Sequence, residues 1–436
     1  MRIWLLTIGE PLPAAEGAKD RLHRTGSFGR YLASRGHAVV WWTSTFDHFR
    51  KKHLMLGDGV IDDPSGLMIR PLRGCGYQRN VSVARFVDHI QVARRFTELS
   101  AQEPKPDILV SALPTVEMCL AAEEYGVRFG VPTVVDLRDM WPDIIAEAGP
   151  KPVRSLARLM LSPLFRQSHR ACASATALTG ITDAFVDWGL QRGQRARSVL
   201  DCAFPFAYDP EAASSAEMRE AEGFWDARGI AAGMSDLVVC YFGNIGHQID
   251  LAHVLEAARR LQTKGARVRF VLCGSGEELE KYRSNAAGLA NVLLPGWVNR
   301  AQIQVLMKRS SLGLDPLRER FDFLATVNNK AVEYMSAGLG IVSSPGYGTL
   351  SELLSNGACG VSYPSGDAVA LAAHLLRLTE NREEVNSIGA NALALFRRRF
   401  SPEIVYPAME DHLELVCDQY RHEESNGSRQ RSGSNN

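Results

Sequence analysis

A chain of 436 residues, 45% hydrophobic and 22% charged, has the composition of a soluble globular protein and the length of two domains. Lys and Arg balance Asp and Glu at 49 each, which excludes the strongly basic character of a nucleic-acid binder. The halves differ, with 26 cations against 20 acids in residues 1–200 and 23 against 29 in the remainder. That basic N-terminal excess fits an anionic acceptor or an anionic membrane surface, and equally a chance distribution.

Short apolar runs alternate with amphipathic stretches, the pattern of βα units building parallel sheets. Strands are predicted at Arg2–Thr7, Ala38–Thr43, Asp107–Val110, Thr133–Asp136 and Ala175–Thr179. Helices are predicted at Thr25–Arg35, Val81–Leu99, Val116–Tyr125 and Pro152–Cys172. The opening run is too short for a signal peptide and reads as a buried first strand. The pattern breaks at Phe204-Pro205-Phe206-Ala207-Tyr208, and Ala212–Gly229 reads as an extra helix. It restarts with strands at Leu237–Phe242, Arg267–Cys273, Val292–Leu294, Leu312–Leu314 and Gly340–Ser343. The helices between them are predicted at Leu251–Gln262, Gln302–Lys308, Lys330–Ala337 and Ala368–Thr379.

The fold class is therefore α/β, with two doubly wound, Rossmann-like domains at residues 1–205 and 206–400 facing across a cleft. A last helix at 401–420 is expected to return to the first domain. The tail, 421–436, has no apolar side chain and is expected to be disordered. The eight cysteines form no C-x-x-C, so neither a zinc site nor a disulfide framework is expected, and a reducing cytoplasm fits. No apolar run reaches the ~18 residues of a membrane span.

Ligands of parallel sheets bind beyond the C-terminal ends of strands, so the candidates follow strands. Lys330 and Glu333, three positions apart, share one helical face near a helix start. They read either as a surface ion pair or as a nucleotide-diphosphate site, with Lys330 on phosphate and Glu333 on ribose hydroxyls. Gly243, Asn244 and Gly246 follow one strand and Gly274 follows the next. Such glycines let the backbone approach a ligand, or simply make a tight turn. No G-x-G-x-x-G and no G-x-x-x-x-G-K-[ST] occurs, which disfavours a dinucleotide oxidoreductase and excludes a P-loop. In the first half, Asp139 follows a strand and could orient an acceptor hydroxyl. Arg138 could hold a phosphate or staple the loop to an Asp. The loop carrying Lys19, Arg21, His23 and Arg24 could close over phosphates or an acceptor, or be solvated. The helix Pro152–Cys172 interleaves Arg154, Arg158, Arg166 and Arg170 with leucines. It reads as an amphipathic core helix or one lying on an anionic bilayer.

Three segments in this order carry a resemblance: Asp139-Met140-Trp141-Pro142, Tyr241-Phe242-Gly243-Asn244-Ile245-Gly246 and Asn329-Lys330-Ala331-Val332-Glu333-Tyr334-Met335. The chain resembles, to about residue 415, the family 4 type of retaining glycosyltransferases with the GT-B fold, and most of all its bacterial O-antigen and capsule branch. Pro295-Gly296-Trp297-Val298 is similar to that family's turn beside the nucleotide base, which makes Trp297 and Val298 donor-binding candidates. Asn329, Lys330 and Glu333 match the branch's Asn/Ser-Lys-x-x-Glu form. The resemblance departs at Ala325, where relatives often have a first glutamate of E-x7-E. It departs again at His247 and Gln248, where many have an Arg/Lys pair.

The resemblance implies a UDP- or GDP-type sugar donor held by the C-terminal domain. It implies transfer, with retention at the anomeric carbon, to a hydroxyl of a lipid-linked or other saccharide acceptor on the N-terminal domain. Asp139, Lys330 and Glu333 are then the catalytic candidates. No D-x-D stands at a strand end, and no metal and no cofactor are expected. The protein is expected in the cytoplasm, peripheral at the inner face of the plasma membrane, with an anionic membrane as a further partner. Two rivals remain: a nucleotide-sugar epimerase of the same fold, and a non-catalytic sugar-nucleotide-binding subunit.

Overall fold

The run Arg2–Leu6 has four buried side chains in five residues, as a central strand covered on both faces requires. In the computed structural model, which describes residues 1–13, 22–209 and 213–433, this run is β1, the centre of the first sheet. The other first-half strands are β2 (Ala38–Ser44), β3 (Phe46–Asp47), β4 (Lys52–His53), β5 (Ile61–Asp62), β6 (Met68–Leu72), β7 (Ile108–Leu113), β8 (Thr133–Leu137), β9 (Ala177–Gly180) and β10 (Cys202–Ala203). Their order is β10-β9-β8-β7-β1-β2-β6-β5, with β3 and β4 a separate ribbon. All pairings of the large sheet are parallel except β5 with β6. Trp4, Trp42 and Phe96 pack edge to face in its core, with centroids 5.2–6.1 Å apart.

The second sheet holds β11 (Leu237–Asn244), β12 (Val268–Ser275), β13 (Val292–Gly296), β14 (Leu312–Pro316), β15 (Gly340–Ser344) and β16 (Gly360–Ser362). Their order, β13-β12-β11-β14-β15-β16, is the doubly wound dinucleotide-fold order. Alternate residues feed two cores. Leu237, Val239 and Tyr241 enter one and Val238, Cys240 and Phe242 the other, because successive strand side chains point to opposite faces. Among the described residues every cysteine is free.

The chain divides into two compact units: residues 1–204 with 406–436, and residues 205–405. The last helix, Pro402–Gly433, packs on the first unit. Tyr406 lies 5.7 Å from Phe28, and Glu410 accepts a 2.7 Å hydrogen bond from Tyr31.

Two expectations are corrected here. Residues 421–433 are helical rather than disordered. Adding a residue to an existing helix gains a hydrogen bond without a new nucleation cost, and Arg421 reaches Asp418 at 3.3 Å and Asp107 at 3.8 Å. The single helix predicted over Pro152–Cys172 is two, Lys151–Met160 and Ser162–Ser174. Pro163 is tolerated in the first turn of a helix but not in its interior.

Candidate functional site

In the second sheet the strand order reverses between β11 and β14, the topological switch point where doubly wound sheets bind ligands. The helix Asn329–Ser336 is anchored over this point by its cap. Asn328 Oδ1 accepts from the Ala331 N–H at 3.0 Å, while its Nδ2 donates to Asp315 Oδ2 at 2.6 Å. Tyr334 Oη donates to the Leu314 carbonyl at 3.1 Å. Ala331, Val332, Tyr334 and Met335 are buried, so helical phase turns Lys330 and Glu333, both half-buried, the other way.

Lys330 runs along Gly243, where an added Cβ would lie 3.5 Å from its Cδ. Its ammonium sits 5.5 Å from the Tyr241 ring centroid. Among the described residues it forms no ion pair, so the surface Lys330–Glu333 pair is not what this spacing makes. Asp315, at the end of β14, is fully buried, and its Oδ1 has no partner among the described residues. Burial pushes its carboxyl up, while Lys330 and the Asn328 amide pull it back. Sequence reasoning missed Asp315. Its signal was an acid closing an otherwise apolar strand.

The glycines divide by cause. Gly243 and Gly274 are paired in register on β11 and β12, with φ of 147° and 148°. A Cβ on Gly274 would stand 1.9 Å from the Gly243 carbonyl oxygen, so strand approach alone requires glycine at 274. Gly243 and Asn244 are exposed at the strand end beside Lys330, and Gly246 is buried in the turn. His247, in place of a cation pair, lies 3.2 Å from both Glu277 and Glu278. Trp297 is 71% exposed after β13 while Val298 is buried. That strand lies two positions from β11, about 10 Å at the usual spacing. Ala325 caps the short helix Phe321–Leu324. The nearby carboxylate, Asp322, is buried and held by Arg320 at 2.6 Å, so it does not replace the missing glutamate.

In the first unit, Arg24 and Arg138 are engaged internally, both on the carboxylate of Asp136. Arg24 Nε donates to Asp136 at 3.0 Å and Arg138 Nε to the same oxygen at 2.6 Å. Arg138 also reaches Glu10 and, at 2.7 Å, Thr25 Oγ1. Burial alone would raise the Asp136 carboxyl, but the two guanidiniums and the Thr179 hydroxyl hold it far below the usual range. The start of helix Arg24–Ser34 already faces an anion, since Glu10 accepts from the Thr25 and Gly26 N–H groups. Lys19 and Arg21 lie outside the described residues. Asp139, half-buried, accepts from the Met140 N–H at 2.9 Å.

Near Asp139, whose charge acts on Arg85, the Arg85 guanidinium lies 4.4 Å from the Trp141 ring and 5.6 Å from Tyr77. Beyond Tyr77 opens a cavity of about 530 Å³ lined by Lys51, Lys52, His53, Arg79 and Ser82, a size that suits a small ligand. Lys51 of this lining and the neighbouring Arg85 repel one another. Burial and Arg85 push the Lys51 ammonium down, and burial with Lys51 and Arg85 pushes His48 to about 4. This cationic cavity, absent from the sequence reading, rests on the short β3–β4 ribbon and the loop before helix Val83–Ser100.

The two units, each a doubly wound sheet, make up the GT-B fold of nucleotide-sugar transferases. Residues 236–381, the switch-point unit, match the family described as Glycosyl transferases group 1. The chain is 29% identical over 172 residues to an amylovoran biosynthesis glycosyltransferase, AmsK, of Erwinia amylovora. The match covers 38% of this chain and 42%, less than half, of that relative. Among solved structures, Anabaena HepE in complex with UDP superposes with a TM-score of 0.63 at 14% identity, covering 98% of this chain and all of that one. Sucrose-phosphate synthase of Thermosynechococcus elongatus gives 0.67 at 14% identity, covering 95% and 98%. Among the described residues no helix is long and apolar enough to cross a membrane.

Proposed function

We propose that the protein is a retaining glycosyltransferase of bacterial surface-polysaccharide assembly, moving a sugar from a nucleoside diphosphate to a saccharide hydroxyl. The observation that carries this reading is Lys330. It is a cation without an ion pair among the described residues, held along Gly243 at the switch point by the Asn328 cap. The similarity to an amylovoran transferase supports the polysaccharide setting. The HepE complexes with UDP and with UDP-glucose support a sugar-nucleotide donor of UDP type.

In this reading Lys330 and the exposed backbone at Gly243 and Asn244 take the diphosphate, Glu333 the ribose hydroxyls, and Trp297 and Val298 the base. The C1–O bond to the leaving phosphate breaks as the acceptor oxygen bonds C1 on the same face. The acceptor proton passes to the leaving phosphate oxygen. Charge growing on that phosphate is offset by Lys330 and by preorganised N–H donors, without a divalent metal. Asp139 orients the acceptor, and the cationic cavity of Lys51, Lys52 and Arg79 suits the phosphate of a lipid-linked one. Ala325, where the resembled family often has a glutamate, favours as second reading a subunit that binds the donor without cleaving it.

Thermal melting with UDP, GDP and their sugars, with and without EDTA, tests the donor site. A ligand that binds only the native state raises the midpoint with concentration. A metal-independent rise with one nucleotide class is expected, and no rise with any of them overturns the reading. Release of nucleoside diphosphate on adding acceptor separates transferase from binding subunit.

A further inference from the structure

We propose that Asp315 is a positioning residue of the donor site that acts through Lys330, balancing its ammonium in the free protein and taking up a proton from solvent when a sugar-nucleotide diphosphate arrives. The inference rests on the reading of Lys330 as the diphosphate ligand. The carboxyl stands near the end of β14, at the switch point, and is fully buried. Its Oδ2 accepts from Asn328 Nδ2 at 2.6 Å, and Oδ1 of the same amide caps the helix that carries Lys330. One carboxyl therefore anchors the start of that helix and also feels the charge of Lys330.

The second oxygen, Oδ1, has no hydrogen-bond partner among the described residues. Lys330 and Tyr334 face the carboxyl from the capped helix, Tyr241 from β11 and Tyr363 from just after β16. The three hydroxyls are committed elsewhere: Tyr241 to the Asn244 carbonyl at 2.8 Å, Tyr334 to the Leu314 carbonyl at 3.1 Å and Tyr363 to His253 Nε2 at 2.9 Å. Burial pushes all three hydroxyls far up, so they stay neutral. Among the described residues Lys330 is then the cation that makes a buried carboxylate tolerable here. A diphosphate seated on Lys330 brings negative charge to the same ammonium. Like charges sharing a site favour the protonated carboxyl, and burial has already raised this one above the ordinary range. The carboxylate and one proton from solvent give the neutral acid, with Oδ1 the oxygen that Asn328 leaves open. Lys330 then serves the diphosphate alone.

Calorimetric titration of the full chain with UDP-glucose and with GDP-mannose, at several pH values and in two buffers of different ionisation enthalpy, counts the protons bound. Neither sugar nucleotide carries a phosphate proton that titrates near neutral pH. Uptake of up to about one proton is expected, with affinity falling as pH rises. A rise of about one unit in the carboxyl on binding corresponds to a roughly tenfold fall in affinity. Asp315→Asn keeps an acceptor for Asn328 and fixes the neutral state. It should abolish the uptake, flatten the pH profile and bind the sugar nucleotide more tightly than the parent at the alkaline end. A purely structural role would weaken binding at every pH. His247, 74% exposed in its side chain, is the rival source of uptake. His247→Gln should retain the uptake, which decides the matter even if the Asp315 variant does not fold. Binding of neither sugar nucleotide overturns the donor reading and this inference with it. Binding without proton uptake, uptake that survives in Asp315→Asn, or uptake that vanishes in His247→Gln overturns this inference alone.

Discussion

Lys330→Met is the most direct probe of the switch-point site. Methionine keeps the length of the stem that lies along Gly243 and near the Tyr241 ring, so packing changes little while the charge is lost. Lys330 makes no ion pair among the described residues, so no close ion pair is broken. Loss of the charge also removes one of the two pulls on the buried Asp315 carboxyl, which shifts further upward and keeps its hydrogen bond from Asn328. A charge-assisted hydrogen bond to a phosphate is worth about 1.5–3 kcal/mol, so a nucleoside diphosphate should bind roughly 10- to 100-fold more weakly. Removing a donor aimed at charge developing on the leaving group costs a further factor of about 10²–10³ in turnover. Calorimetric titration with UDP and GDP, and release of the diphosphate during transfer, measure the two separately. A folded variant with affinity within about twofold and turnover within about threefold of the parent refutes the assignment.

Two predictions concern charges that the fold itself uses. Glu123 is buried, its Oε1 has no partner among the described residues, and burial lifts its carboxyl from 4.5 to about 7 against the pull of the Thr133 and Ser174 hydroxyls. The native state then binds this proton more tightly than the unfolded chain, so the associated stability is complete below pH 4.5 and lost as pH rises through 7. The rise corresponds to roughly 3 kcal/mol. Glu123→Gln should therefore raise the urea midpoint at pH 8 and leave it little changed at pH 5, and equal shifts at both pH values would contradict the account. Asp136→Asn removes the carboxylate shared by Arg24 and Arg138 and should cost about 3–5 kcal/mol by urea unfolding near neutral pH. Because that carboxyl is depressed in the fold, its contribution is present above the ordinary carboxylate range and fades in acid. The variant's deficit should shrink as pH falls, and a deficit under about 1 kcal/mol at pH 7 would show the network to be replaceable.

The alternation of strand and helix was legible because parallel strands are apolar on both faces. Leu237–Phe242 has no polar position except the Tyr241 hydroxyl, and the two cores it feeds explain why. The short β3–β6 region was not legible. Its strands are two to five residues long and one carries Arg70 and Pro71, so no period develops, and the cationic cavity built on it stayed hidden. The difference between Lys330 and Arg138 has the same root. Which way Lys330 faces follows from its immediate neighbours, a capping Asn328 and apolar residues at 331, 332, 334 and 335. Whether Arg138 can take a ligand depends on Glu10, 128 positions away, and on Arg24, which shares Asp136 from 112 positions away, and no local pattern reports that. Periodicity therefore assigns a face to a charge, while only long-range pairing decides whether the charge is already committed. The helix Lys151–Met160 obeys the same division. Its apolar stripe was plain in the sequence, and a stripe is normally a core face. What changes its meaning is that none of its side chains is buried, so a stripe that would ordinarily close a core closes none here.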